Sequence, residues 1–287
     1  MSAIALIGLL ALGCLGGFLA GIMGVGGGLI FIPVLDHLFR AQSLPPDEIV
    51  RYTLANSIFL VFASGLSGIF RQYKMGTWAW RESLHIGLPG ALSSWAMSWA
   101  IRQGDWYNPD RFSFVFLGFL LLTMGNMLLS KGADQTQSSA DSEPSWIKGS
   151  LVGLLAGAVV SLSGLGGGII MVPLFRMLLN KPMHKATALS LSIVPMLASL
   201  SLLHYLTESP NQLVFSPVQT ESTSALSHLA QSGYMVWPYF LPMAIGVLVF
   251  SSFGQKKAKD LSPLTLRIIF ASLSALVLVK TLYHLIN

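Results

Sequence analysis

The stretch GVGGGLIFIPVL, residues 24–35, interrupts an apolar run with four glycines within five positions. A second copy, GLGGGIIMVPLF, occupies residues 164–175, with six identical positions and apolar residues at all others. The two copies lie 140 residues apart, and each stands between two apolar runs. Because glycine allows positive φ angles and close backbone approach, each copy is predicted to break a helix sharply. The duplication indicates that the chain consists of two related halves.

The composition indicates a membrane protein. The chain has 287 residues, of which 53% are hydrophobic and only 10% charged, and its mean hydropathy is +0.66. Soluble domains carry about 25% charged residues. The net charge of +5 comes from Lys and Arg scattered between apolar runs, which is typical of membrane topology signals and argues against a nucleic-acid surface. Cys14 is the single cysteine, so no disulfide, metal site or cofactor is predicted.

Ten apolar runs follow one another along the sequence, and eight of them reach the length of about 17 residues that a full span needs. The runs at 29–39 and 169–179, directly after the glycine breaks, contain about eleven residues and cover roughly half a bilayer. No basic residue precedes the first run, so we expect a retained membrane segment there and not a cleaved signal. The long runs lie at 4–20, 53–70, 84–101, 112–129, 147–163, 186–206, 235–252 and 262–286.

The two halves resemble each other outside the glycine motif as well. GTWAW at 76–80 parallels GYMVW at 233–237, each just before an apolar run. The offset between the halves grows from 140 residues at the glycine motif to 157 residues here. This growth predicts an insertion in the second half, most simply the polar stretch 207–232, which contains two Glu and no Lys or Arg.

The basic loops predict which side of the membrane each connection faces, because Lys and Arg accumulate in short cytoplasmic loops. If every run simply crossed the membrane, the basic loops 71–82 and 176–185 would lie on opposite sides. If each glycine motif instead turns the chain back, the loops 71–82, 176–185 and 256–267 and the polar linker are all cytoplasmic. The segment 207–232 and both termini are then external. This arrangement satisfies every basic loop and makes the halves inverted repeats.

The predicted fold is an all-α polytopic membrane protein with two inverted repeats, each a glycine-broken helical hairpin plus three full spans. The first membrane repeat covers 1–130, the polar segment 131–146 is a flexible cytoplasmic linker, and the second membrane repeat covers 147–287 with the external insertion at about 207–232. The charges leave open whether each hairpin is re-entrant or consists of two short spans.

The glycine breaks are the predicted binding site. Helices that restart near Leu29 and Ile169 point free N–H groups at the breaks, and a helix N-terminus carries about half a positive charge. Irregular backbone at membrane depth is tolerated only inside protein or beside a water-filled cavity, and paired broken helices are typical of transporter substrate sites. Two such N-termini could converge and hold an anion without Lys or Arg. Close helix packing is the alternative role of such glycines, but duplication in register favours the site.

Small polar residues begin the run after each hairpin. Asn56 and Ser57 do so in the first half, and Ser190 aligns with Ser57 in the second. An amide and two hydroxyls can bind oxyanion oxygens, but such groups serve equally well as interhelical hydrogen bonds. For Thr53, Thr187 and Ser192 we expect interhelical hydrogen bonds. The predicted substrate-binding residues are Gly24, Gly26, Gly27, Gly28, Asn56, Ser57, Ser163, Gly164, Gly166, Gly167, Gly168 and Ser190.

No Asp or Glu lies within the eight long runs. Proton pumps and antiporters usually place a carboxylate or histidine relay at membrane depth, so the sequence favours an anion leaving down the membrane potential, which supplies ~2.3 kcal/mol per charge per 100 mV. An intramembrane enzyme is disfavoured, because no G-x-S-x-G, H-E-x-x-H or membrane carboxylate pair occurs. We therefore predict no catalytic residue. A non-transporting scaffold or receptor would explain glycine packing but not duplicated breaks.

These residues resemble a known family. The paired G-x-G-G-G-x-x-x-x-P motifs, the segment HKATALS at 184–190 and the Gly…Trp sequences before the late spans are similar to the TauE/SafE family of bacterial permeases, also called the sulfite exporter or toluene sulfonate uptake family. The resemblance covers about residues 4–286. The chain departs from the family pattern at Asn56 and Leu189, where Thr is usual, and in the insertion at 207–232.

The resemblance implies a membrane permease for small sulfur-containing anions, such as sulfite, thiosulfate or an organosulfonate. It also implies a multi-pass protein of the bacterial inner membrane, whose expected partners are the anion and the lipid bilayer, with a homodimer as an assembly to test. Import of sulfonates or of another small organic anion stays open as an alternative to export.

Overall fold

The computed structural model consists of helices and one small β-hairpin. It describes residues 3–24, 26–42, 44–103, 109–129, 146–179, 181–210, 214 and 231–258, together with single positions between 260 and 279. The linker predicted at 131–146 lies outside the described residues except for Trp146. Most of the predicted insertion at 207–232, most of the last apolar run and both chain ends also lie outside them.

Nine helices and two strands make up the described part of the chain. The helices are α1 (Ala3–Met23), α2 (Gly28–Arg40), α3 (Pro46–Lys74), α4 (Trp80–Gln103), α5 (Pro109–Leu129), α6 (Trp146–Ser163), α7 (Gly168–Leu178), α8 (Met183–Thr207) and α9 (Trp237–Ala258). The strands β1 (Gln231–Ser232) and β2 (Met235–Val236) pair antiparallel directly before α9.

The helices agree with the predicted apolar runs and confirm an all-α membrane protein. Within the described residues, α1, α3, α6, α8 and α9 are long and apolar enough to cross a bilayer. The return helices α2 and α7 have only 13 and 11 residues, so each covers about half a bilayer.

Two long helices form the centre of the bundle. Within the apolar windows of α3 and α8, 72% of the residues are buried, against 28% for α1. The outer helices carry large exposed apolar side chains, among them Ile4 and Ile147, each 83% exposed. A continuous apolar exterior of this kind is the surface that lipid requires.

Outer helices of opposite halves pack in pairs through glycine. In the α1–α9 pair, Gly13 lies against the carbonyl of Met243. In the α6–α4 pair, Gly153 lies against the carbonyl of Ile86. Gly153 follows Gly13 by 140 residues and Met243 follows Ile86 by 157, the same offsets that relate the two halves in the sequence. Equivalent residues of the two halves therefore make the same contact with each half in the other's place.

The same exchange applies one turn further along both helix pairs. A Cβ added at Gly17 would lie 2.6 Å from the Cα of Val247. Its counterpart in the second half, Gly157, lies against the carbonyl of Gly90. Contacts that advance together along both helices mean that the helices of each pair run in the same direction. This exchange shows that the two halves repeat the same packing, and the inversion of the repeats in a membrane stays a prediction.

The second glycine motif turns the chain back to the end of the bundle from which it came. At the start of α6, the carbonyl of Trp146 lies 3.0 Å from His85 Nε2. Just after α7, Lys181 Nζ lies 3.0 Å from the carboxylate of Glu82. Both contacts are with the first two turns of α4, so α6 begins and α7 ends at one end of the bundle. The loops 71–82 and 176–185 are therefore neighbours, which a simple alternation of spans would not allow.

The first glycine motif turns the chain back to the opposite end of the bundle, where α3 and α9 begin. Near the end of α2, the ring of Phe39 lies 5.3 Å from that of Tyr52, close to the start of α3. Directly after α2, Gln42 Nε2 donates to Tyr239 Oη, at the start of α9, at 3.0 Å. Because α1 runs parallel to α9, α1 begins at the end where α2 finishes. Which end faces the cytoplasm stays a prediction.

Candidate functional site

The two glycine breaks have the same backbone geometry. Gly27 and Gly167 adopt the left-handed conformation, with φ of +82° and +66°, and stand directly before α2 and α7. The carbonyl of Gly27 accepts hydrogen bonds from the N–H groups of the third and fourth residues after it, and the carbonyl of Gly167 does the same. L-residues with a Cβ disfavour this conformation. The glycines that also have positive φ within the motifs are Gly24, Gly26, Gly164 and Gly166.

The two breaks contact each other directly. A methyl group added at Gly28, the first residue of α2, would lie 2.6 Å from both the carbonyl oxygen of Gly164 and the Cα of Leu165. No side chain fits between these backbones. All eight glycines predicted as site residues are buried, so the N-terminus of α2 lies against the second break inside the protein.

Serines from the central helices hold the breaks in place. Ser57 Oγ, on α3, donates to the carbonyl of Gly164 at 3.0 Å, and Ser190 Oγ, on α8, donates to the carbonyl of Gly24 at 2.8 Å. Both serines are fully buried. A serine hydroxyl has one proton to donate, so in this conformation both serines position the breaks and have lone pairs, but no donor, left for a ligand.

Asn56 ties α3 to the β-hairpin. Its Nδ2 donates to the carbonyls of Tyr52 and Tyr234 at 2.7 and 2.9 Å, and its Oδ1 accepts from the N–H of Val236 at 3.0 Å. An asparagine amide has two donor protons, and both are engaged with backbone. Of the two roles that the sequence leaves open for Asn56, the structure displays the structural one.

Ser163 lies at the end of α6, immediately before the second break. Its Oγ donates to the carbonyl of Val159 at 2.6 Å and accepts a 3.3 Å hydrogen bond from the N–H of Leu165. The side chain therefore closes the C-terminal turn of α6 and directs the chain into the break. Its hydroxyl proton is held within its own helix.

Ser64 is a contact of the breaks that the sequence reading missed. It is fully buried on α3, and its Oγ lies 3.0 Å from the carbonyl of Gly26 and 2.8 Å from that of Val61. Ser64 follows Ser57 by seven residues, so both lie on one face of the helix. This spacing from Ser57 is the sequence signal by which Ser64 could have been predicted.

The interhelical role predicted for three further residues holds for only one of them. Ser192 Oγ donates to Gln72 Oε1 at 2.8 Å, between α8 and α3. Thr187 Oγ1 instead donates to the carbonyl of His184 in its own helix. Thr53 is fully buried, and its hydroxyl has no hydrogen-bond partner among the described residues, so the prediction for Thr53 is wrong.

A charged and aromatic cluster covers the end of α3 where the β-hairpin lies. The hydroxyl of Tyr234 donates to Glu48 Oε1 at 3.2 Å and accepts from Arg51 at 3.3 Å. Arg51 also lies 3.9 Å from Glu208. Burial raises the pKa of Tyr234 to about 12, so this hydroxyl is neutral at physiological pH. The cluster therefore links the start of α3 to the β-hairpin and to Glu208, directly after α8.

Comparison with known proteins agrees with this architecture. The family model described as "Sulfite exporter TauE/SafE" matches residues 9–281. The chain is 27% identical over 265 residues to a probable membrane transporter protein of Methanocaldococcus jannaschii, covering 92% of this chain and 91% of that relative. It is 22% identical over 291 residues to the probable membrane transporter protein YunE of Bacillus subtilis, covering 96% and 97%.

A further relative, a probable membrane transporter protein of Haemophilus influenzae, is 28% identical over 164 residues, which is 57% of this chain and 60% of that protein. No solved structure matches the chain. The family match covers nearly the whole chain and agrees with the apolar spans and the duplicated glycine breaks. This chain belongs to the sulfite exporter TauE/SafE family and is a multi-pass membrane transporter.

Proposed function

We propose that this protein is a permease for small sulfur-containing anions, namely sulfite, thiosulfate or an organosulfonate, and that it exports them across a bacterial inner membrane. The observation that carries the proposal is the pair of short helices, α2 and α7, each beginning at a left-handed glycine inside the protein. Because the residues of one break abut the other, one anion at this place can interact with both.

The electrostatics of the breaks suit an anion that must leave again. Each helix N-terminus carries about half a positive charge and directs N–H groups outward. The sequence has no Asp, Glu, Lys or Arg within 1–35, 52–70, 149–175 or 186–203, so the stretches that form the breaks and the helices beside them are uncharged. A site built from backbone dipoles attracts an anion without the strong ion pair that a buried Lys or Arg would form.

The described conformation represents a closed state in this proposal. All the motif glycines are buried, so an anion can enter only when the two breaks move apart. Inverted repeats provide such a movement, because one repeat can rock against the other around a site at the middle of the membrane. The serine hydrogen bonds of Ser57 and Ser190 cross between the halves and are the contacts that this movement would rearrange.

The test is flux through purified protein in liposomes loaded with sulfite, thiosulfate or sulfoacetate, under an imposed membrane potential of either sign. We expect efflux of at least one anion that increases when the inside is negative, because the potential supplies ~2.3 kcal/mol per charge per 100 mV. If the flux of all three anions is the same in liposomes with and without the protein, the proposal is wrong.

Alanine variants at Gly27 and Gly167 link the flux to the breaks. Both positions have positive φ, and a Cβ at Gly27 would lie 2.7 Å from Phe31 while one at Gly167 would lie 2.7 Å from Val160. We expect both variants to lose flux. Gly8→Ala is the matched control, because a Cβ at Gly8 meets nothing within 4 Å. Detergent-extracted variants are compared at equal amounts of folded protein.

A further inference from the structure

The polar side chains beside the glycine breaks are engaged with the protein itself. Ser57 and Ser190 donate to break carbonyls. Both donors of Asn56 serve backbone carbonyls, and the hydroxyl of Ser64 lies against two more. None of these four has a donor proton available for an anion in the described conformation.

Thr53 differs from all of them. It is fully buried on α3, and no described residue accepts a hydrogen bond from its hydroxyl or donates one to it. A threonine in a helix can usually bond the carbonyl one turn earlier, so a buried, unbonded threonine hydroxyl is uncommon. Burying such a group costs free energy unless a polar ligand forms a hydrogen bond with it.

The helix register places Thr53 within one turn of the residues of α3 that contact the second break. Residues three and four positions apart are neighbours on a helix surface, so Thr53 lies one turn before Asn56 and Ser57. Ser57 is bonded to Gly164, and the side chain of Leu54, the residue after Thr53, lies 3.0 Å from the Cβ position of Gly164. Thr53 is thus beside the second break, on which the N-terminus of α2 packs.

The second half shows that packing does not require this hydroxyl. The alignment that places Ser57 opposite Ser190 places Thr53 opposite Ala186. Ala186 is also fully buried, and α8 packs against α7 without a hydroxyl there. The hydroxyl is therefore present at this position in one half only, on α3.

We infer that Thr53 is a substrate-contacting residue whose hydroxyl donates a hydrogen bond to an oxygen of the sulfur oxyanion held at the N-terminus of α2. This inference rests on the proposed function. It assigns to one side chain the selectivity for an oxygen-bearing anion that backbone N–H groups alone do not supply. Binding then engages a hydroxyl that has no partner among the described residues.

The test compares Thr53→Val, which keeps the shape and removes the hydroxyl, with Thr53→Ser, which keeps the hydroxyl. Binding of sulfite, thiosulfate and sulfoacetate to purified protein is measured by calorimetry, and the unfolding temperature is measured without anion. We expect Thr53→Val to weaken binding by about tenfold, the effect of losing one hydrogen bond to a charged group. We expect Thr53→Ser to bind nearly as the unsubstituted protein does.

The unfolding temperature separates a binding role from a structural one. Because the hydroxyl has no partner among the described residues, Thr53→Val should unfold at the same or a higher temperature in the absence of anion. Thr207→Val is the control, since Thr207 is exposed and bonds only to carbonyls of its own helix. If both Thr53→Val and Thr53→Ala unfold at a clearly lower temperature, the hydroxyl is structural and the inference is overturned.

Two further outcomes separate this inference from the proposed function. If the unsubstituted protein binds one of the three anions and Thr53→Val binds it equally well, the inference fails and the proposed function stands. If the unsubstituted protein binds none of the three anions, the proposed function fails and the inference fails with it.

Discussion

Ser190 donates a 2.8 Å hydrogen bond to the carbonyl of Gly24, which lies 166 residues earlier in the chain. Ser57 makes the equivalent bond to Gly164 at 3.0 Å. The central helix of each half therefore holds the glycine break of the other half. A break cannot move without changing its contact with the opposite half, so the movement that we propose would involve both halves.

Removing either serine hydroxyl should destabilise the protein modestly and to a similar extent. Ser57→Ala and Ser190→Ala each leave a buried carbonyl without its partner, and we expect a loss of about 0.5–2 kcal/mol in the free energy of unfolding, the range of hydrogen bonds between membrane helices. Equilibrium unfolding in mixed detergent measures the loss. Ser199→Ala is the control, because Ser199 bonds only to the carbonyl of Met196 in its own helix. A loss in the control as large as in the two variants would contradict the role assigned to the serines.

A methyl group at Gly28 should force the two breaks apart. Its Cβ would lie 2.6 Å from the backbone of both Gly164 and Leu165, and backbone can yield only by moving a helix. We expect Gly28→Ala to cost about 1–3 kcal/mol through overpacking and to reduce anion flux per folded molecule. Gly118→Ala, on α5, is the control because a Cβ there meets nothing within 4 Å. Normal flux through folded Gly28→Ala would show that contact between the breaks is not needed for transport.

Replacing Asn56 should release the β-hairpin. Leucine occupies the equivalent position 189 in the second half, but Asn56→Leu leaves the carbonyl of Tyr234 and the N–H of Val236 without partners. Each buried group left unsatisfied costs about 1–3 kcal/mol. We expect lower stability and faster proteolysis within 231–236.

Asn56→Asp serves as the comparison, because it keeps the acceptor for the N–H of Val236 and loses both donors. It should lose at least as much stability as Asn56→Leu, because an ionised aspartate would bury a carboxylate oxygen against the carbonyls of Tyr52 and Tyr234. Equal protease resistance in Asn56→Leu and the unsubstituted protein would contradict the role of this side chain in holding the hairpin.

The predicted membrane orientation can be tested with single cysteines in a Cys14→Ser background. Thr77 and Ser209 are both exposed, and the turned-back arrangement places Thr77 on the cytoplasmic side and Ser209 outside. We expect a membrane-impermeant thiol reagent to label Ser209→Cys in intact cells and Thr77→Cys only after permeabilisation. Labelling of both cysteines in intact cells would contradict the inverted-repeat topology, and labelling of Thr77→Cys alone would contradict its predicted orientation.

Much of the fold follows from local patterns in the sequence. A run of apolar residues of bilayer length has few alternatives to a spanning helix, so α1, α3, α6, α8 and α9 are where the sequence predicts them. The glycines at 27 and 167 take the left-handed φ that their chemistry permits. The alignment of Ser57 with Ser190 also holds, because repetition in sequence becomes repetition in contacts.

The roles of the polar side chains could not be predicted in the same way. Asn56 and Thr53 lie three residues apart on α3, and both are small polar residues beside a glycine break. Asn56 is saturated by a hairpin that is 178 residues or more away in sequence, whereas Thr53 has no partner among the described residues. A hydroxyl or amide bonds to whichever group packing brings within about 3 Å. The spacing of nearby residues does not indicate which group from a remote part of the sequence that will be.

Membrane insertion, the two helix breaks and the relation between the halves can all be predicted from the amino-acid sequence, because composition, apolar length and glycine chemistry act locally. Three features depend on the folded structure: Gly28 packs on Gly164, Ser57 and Ser190 reach across to the opposite half, and Thr53 has no hydrogen-bond partner in the part of the chain that the structure describes. Those contacts depend on how helices from distant parts of the chain pack together, and packing is a property of the whole fold.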